Sequence, residues 1–127
     1  MNKTLFPSEI KVWYIIPAIR KELAKILVNK KGISQRKTAE LLGLTEAAVS
    51  QYLKDKRANE VKLTIAIKKK ILAVADRIIE KEEKSSEELI NLVNTEIVTK
   101  LICEFHKTHD ERIKKNCDIC FKKKVVL

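Results

Sequence analysis

Glycine and proline are almost missing from this chain, with two of each in 127 residues. So few punctuators leave little to bound short strands or shape long loops, and an all-α fold follows. Aromatic residues make up 5%, so the core must be largely aliphatic, and unstacked RNA bases would find few rings to stack on. No run of about 18 apolar residues exists, which excludes a membrane-spanning helix. Met1 is followed by Asn2, Lys3 and Thr4 without the apolar stretch of a signal peptide, so a cytoplasmic location is expected. Acidic residues are in deficit, 17 against 27 Lys and Arg. The resulting net charge of +10 and pI near 9.6 point to an anionic partner. A membrane surface fits poorly, because basic and acidic residues alternate along the long helices instead of forming one cationic face. There is no glycine-rich phosphate loop, and both histidines lie near the cysteines, so an enzyme is not expected. A Cys103/His106 catalytic pair would lack both a signature and a pocket.

What is present begins at residues 33–57, ISQRKTAELLGLTEAAVSQYLKDKR. Ser34 supplies a cap hydroxyl for a helix ending near Leu42, Gly43 can take the positive φ of a tight exit, and Thr45 caps a second helix. Apolar residues fall at Ile33, Ala39, Leu42, Leu44, Val49, Tyr52 and Leu53, the spacing with which two steeply crossed helices share one small core. Thr45, Glu46, Ala47, Ser50, Gln51 and Lys54 project outward and are small or polar, so the second helix could lie in a major groove. A ligand-free helical hairpin is the alternative. Charge separates the two, because residues 1–59 hold 12 basic and 5 acidic side chains. Lys30, Lys31, Arg36, Lys37, Lys54, Lys56 and Arg57 flank the motif, the distribution that phosphate binding requires.

These residues resemble the archaeal branch of the XRE (Cro/C1-like) transcriptional regulators. The likeness rests on Ser34–Gln35, on AELLG at 39–43, on TEAAVSQYL at 45–53, on Lys56–Arg57 and on EIKVWYIIPAIRKELAK before them. It implies a compact lambda-repressor-like domain of four or five helices whose third helix reads double-stranded DNA. By the same likeness Gln35 would touch the phosphate backbone, and Glu46, Ala47, Ser50 and Gln51 would face base edges. Leu53 departs from the pattern, standing where many bacterial members carry an acid.

Around the motif, Pro7 and Ser8 open a short helix or turn, and Pro17 is expected to begin a new helix to about Lys30, with Ile19, Leu23, Ile26 and Leu27 facing the core. Trp13 and Tyr14 read as core anchors. A helix is expected from Glu60 to about Lys84, then a second one, capped by Ser86, to about Phe105. Their apolar stripes could pack on the first domain or form a dimer seam, and the seam is favoured because paired reading helices multiply weak half-site affinity. The division expected is 1–59 for DNA binding, 60–102 for packing or dimerisation and 103–127 for a small metal-binding tail.

That tail holds all three cysteines within 18 residues. Cys103, His106, Cys117 and Cys120 form C-x2-H-x10-C-x2-C, two ligand pairs able to close a tetrahedron around zinc. The resembling family ends in a similar cluster. An iron-sulfur cluster, acting as a sensor, is the alternative cofactor. Buried Cys103 with free thiols or a local disulfide at Cys117 and Cys120 would need no metal, and His109 is a substitute ligand or a solvated side chain. Lys122, Lys123 and Lys124 read as a solvated tail or a further phosphate contact. Together these features describe a DNA-binding, dimeric regulator. A helical adaptor without DNA, or an RNA-binding protein, remains the alternative.

Overall fold

The computed structural model describes residues 6–110 together with Arg112, Lys115, Cys117 and Ile119. All regular elements among them are helical. Residues 7–30 form one continuous helix, α1, in which α-helical Pro7–Ile10 and Ile16–Lys25 alternate with π-helical Lys11–Ile15 and Ile26–Lys30. Pro7 opens it, where a missing N–H is no loss, and the Phe6 N–H donates to Glu9 Oε1 at 3.0 Å. The expected break at Pro17 does not occur. A proline inside a helix cannot donate and presses on the carbonyl four residues earlier. Here the π turn immediately before it shifts the register by one residue, with the Ile16 N–H donating to Lys11 O, and the helix runs on.

Gln35–Leu42 (α2) and Glu46–Leu53 (α3) follow, both packed on α1 and on each other. The next helix starts later than its apolar content suggested, at Ile65, because Thr64 Oγ1 accepts the Ile67 N–H at 3.3 Å and caps α4, Ile65–Glu80. Ala58 precedes it with φ 60°, in the left-handed region. A 3-10 turn, Glu82–Lys84, leads into α5, Ser85–Val93. Ser85 lies inside this helix and donates to Glu82 O at 2.6 Å, so Ser86 is not the cap. The single helix expected to reach Phe105 is two. Asn94 Nδ2 donates to Ile90 O at 3.0 Å and Thr95 Oγ1 to Leu92 O at 2.8 Å, turning the chain before α6, Glu96–His109. These are local side-chain bonds of the kind that compete with helix continuation.

The stripes of α4 to α6 face inward. Ile67, Ile71, Val74, Ala75 and Ile78, then Leu92, then Val98, Ile102 and Phe105 belong to the same buried cluster as Ile19, Leu23, Leu27, Leu42 and Val49. The surface that sequence favoured as a dimer seam is thus largely covered within one chain. Tyr14 is half-buried and stacks on Phe105 at 4.7 Å between ring centroids. Trp13, one residue away, is 54% exposed and is no core anchor. Lys11 is buried, its Nζ donating to Asn94 Oδ1 at 2.7 Å, and that burial lowers its pKa. The bond ties α1 to the turn between α5 and α6. Among the described residues, no helix is long and apolar enough to cross a membrane.

Candidate nucleic-acid interface

The two motif helices are built by the residues the sequence marked. Ser34 Oγ accepts the Lys37 N–H and Thr45 Oγ1 the Ala48 N–H, each at 3.0 Å, satisfying donors that helix starts leave orphaned. Gly43 ends α2 at φ 66°, ψ 39°, and Leu44 N–H donates to Ala39 O at 2.9 Å to close the turn. A side chain at 43 would meet no neighbour, so its cost would come from the backbone conformation alone.

On α3 the faces separate cleanly. Ala48, Val49 and Tyr52 are buried and hold the helix on α1 and α2. Thr45, Glu46, Ala47 and Lys54 are exposed, and Ser50 and Gln51 are half-buried on the same side. Their spacing of one, three and four residues places them along one helical face. Gln51 Oε1 lies buried and finds no hydrogen-bond partner. At the start of α2, Ser34, Gln35 and Arg36 are exposed; Lys56 and Arg57 are exposed in the segment after α3. Lys56 N–H donates to Gln51 O at 2.9 Å, which folds this basic segment back against the reading helix.

Not every flanking cation is available. Lys31 pairs with Asp76 at 2.7 Å and Lys37 with Glu82 at 2.7 Å. The Glu82 carboxylate, by hydrogen bond and charge, holds the Lys37 ammonium above its usual pKa. Both lysines are engaged with the second half of the chain, which sequence could not foresee because their partners lie more than 40 residues away. Arg36, Lys54, Lys56 and Arg57 take part in none of the ion pairs among the described residues.

Beyond α3 the structure adds residues that the motif did not reveal. Asp55, at φ 56°, pairs with Lys25 at 2.6 Å and Lys21 at 3.0 Å, and Lys21 also donates to Asn59 Oδ1. Asn59 Nδ2 in turn donates to Asp55 O at 2.8 Å. Hydrogen bonds from Lys25 and then Lys21 hold the Asp55 carboxyl below the usual range. The only sequence signal was the helical spacing of Lys21 and Lys25, which puts both ammonium groups on one side of α1.

Of the expected metal ligands, Cys120 lies outside the described residues, as do Lys122, Lys123 and Lys124. Cys103 and Cys117 are half-buried. His106 is one helical turn from Cys103, and its Nε2 is buried without a hydrogen bond, 3.8 Å from Asp110 Oδ2. Asp110 is held low in pKa by hydrogen bonds from Arg112. His109 is taken up elsewhere, stacked on Phe105 at 3.9 Å with Nδ1 2.9 Å from Phe105 O. Among the described residues no three His, Cys, Asp or Glu side chains converge closely enough to hold a metal ion, so the expected metal-binding tail has no support from the described structure.

No curated protein and no solved structure matches this chain. A helix-turn-helix family model matches residues 23–66, a span that contains α2, the Gly43 turn and α3.

Proposed function

We propose that the chain is a sequence-specific, double-stranded DNA-binding transcriptional regulator that acts as a homodimer. The observation that carries this reading is the open face of α3. A helix propped from behind by Ala48, Val49 and Tyr52 presents Thr45, Glu46, Ala47, Ser50 and Gln51, with the exposed cations Lys54, Lys56 and Arg57 following its C-terminal end. Ser34, Gln35, Arg36, Lys54, Lys56 and Arg57 contact phosphates, and the Lys and Arg among them supply most of the affinity through counterion release. Glu46 accepts from a cytosine amino group, and Gln51 pairs with adenine through N6 and N7. A single half-site is a small interface, so two copies on a palindrome provide the specificity that one lacks. The match of residues 23–66 to the helix-turn-helix family supports the reading.

Selection of bound duplexes from a random pool tests function and symmetry together. An enriched inverted repeat is expected. Enrichment of structured RNA over duplex, or tight and salt-insensitive protein capture with no duplex retained, would replace the proposal by an RNA-binding or adaptor role.

The same proposal assigns Cys103, His106, Cys117 and Cys120 to a zinc ion, with an iron-sulfur cluster as the competing cofactor. Support comes from the donor chemistry and from the buried, unbonded Nε2 of His106 one turn from Cys103. Zinc in a closed site would tie the C-terminal residues to α6. Anaerobically purified protein is expected to carry near-stoichiometric zinc, and Cys117→Ser to lose it. A brown protein with visible thiolate-to-iron absorption assigns the cluster instead, and metal-free wild type with unaltered folding removes the site.

A further inference from the structure

We infer that the groove beside the exit of α3 is a second phosphate-binding surface, which grips the DNA backbone flanking the base pairs that α3 reads. The inference rests on the DNA-binding proposal and extends it to residues outside the helix-turn-helix motif. The groove has a volume of about 340 Å³ and is lined by Lys21 and Lys25 on one wall and by Lys62 and Lys68 on the other. Glu22 is the one acidic side chain on its lining among the described residues.

The first wall is preorganised. Lys21 and Lys25, one turn apart on α1, share the single carboxylate of Asp55, and Lys21 is further fixed by Asn59. Two ammonium groups on one carboxylate leave a positive charge uncompensated, and each ammonium carries three donors, so N–H groups remain for an incoming oxygen. Side chains already held in place lose less freedom on binding than free lysines do. On the other wall, Lys62 and Lys68 are exposed and join no ion pair among the described residues.

Position selects the ligand. The first wall is tied to the last turn of the reading helix, since Asp55, which holds Lys21 and Lys25, donates its N–H to Tyr52 O at 3.1 Å. A duplex seated on Glu46 to Gln51 must carry its backbone past this end of α3. The groove is open, has no aromatic lining and carries four lysines against one glutamate, which suits a chain of phosphates better than a compact apolar molecule.

The experiment measures duplex affinity of the full chain across a salt series for wild type, for Lys62→Gln/Lys68→Gln and for Lys62→Arg/Lys68→Arg. The Gln pair is expected to lower the slope of log K against log salt by about 2, at roughly 0.9 per phosphate contact. It should weaken selected and random duplexes by the same factor, while the Arg pair keeps the wild-type slope. A Gln pair that folds like wild type and keeps the wild-type slope overturns the groove and leaves the reading of α3 standing. Wild type that retains no duplex at all overturns both. Loss on the selected duplex alone would make these lysines specificity determinants, and it too overturns a backbone role.

Discussion

Ile71→Ala is expected to destabilise the entire chain by about 2 to 5 kcal/mol, the range for truncating a fully buried aliphatic side chain whose surroundings cannot collapse. Ile71 is 0% exposed at the centre of α4, which packs directly on α1, the helix that also supports α3. The loss is a large fraction of the roughly 5 to 15 kcal/mol by which domains are stable. Trp13 is the single tryptophan and sits on α1. Its fluorescence therefore reports on the first half of the chain while the substitution lies in the second. In urea the Trp13 transition should move to lower denaturant together with the loss of helical circular dichroism, since both halves share one core. A Trp13 transition left at its wild-type midpoint would show that residues 7–53 fold independently of α4. Leu72→Ala is the matched control, because Leu72 is 37% exposed on the next helical position and should cost much less.

The caps and the turn of the helix-turn-helix motif were legible, because Ser34, Thr45 and Gly43 act within four residues of themselves. The inward stripe of Ile19, Leu23, Ile26 and Leu27 was legible for the same reason, as a helical period within one segment. Some failures came from interactions that cross the chain. Trp13 and Tyr14 are equivalent by composition, yet only Tyr14 meets Phe105, more than 90 residues away. Lys31 and Lys37 looked like phosphate ligands until Asp76 and Glu82 were seen beside them. Pro17 was misread because the rule that proline starts or breaks a helix ignores a preceding π turn, which removes the clash at no cost in helix continuity. The late start of α4 and the break at Asn94 and Thr95 have a common origin in threonine and asparagine side chains that bond their own backbone. The apolar pattern continues straight through such places, so periodicity alone overruns them.

Gln51→Ala is expected to cost about 1 to 3 kcal/mol on the selected duplex, roughly 5- to 150-fold in Kd, and almost nothing on random DNA. The free protein makes this residue a favourable reader. Its Oε1 points inward without a hydrogen-bond donor, and a buried acceptor left unpaired is destabilising. Swinging the amide out to an adenine therefore breaks no existing bond of that oxygen and gives it one. Nε2 gains N7 and Oε1 gains the N6 amino group in the same movement. The substitution removes that pair without weakening α3, since alanine is the better helix former and Ala48, Val49 and Tyr52 continue to hold the helix in place. Gln35→Ala is the contrasting variant. At the exposed start of α2 it should weaken both duplexes alike, because a phosphate contact carries no sequence information. Equal losses on the two duplexes for Gln51→Ala would mean that α3 touches the backbone and reads no base, and the assignment of Glu46, Ala47 and Ser50 to base edges would fall with it.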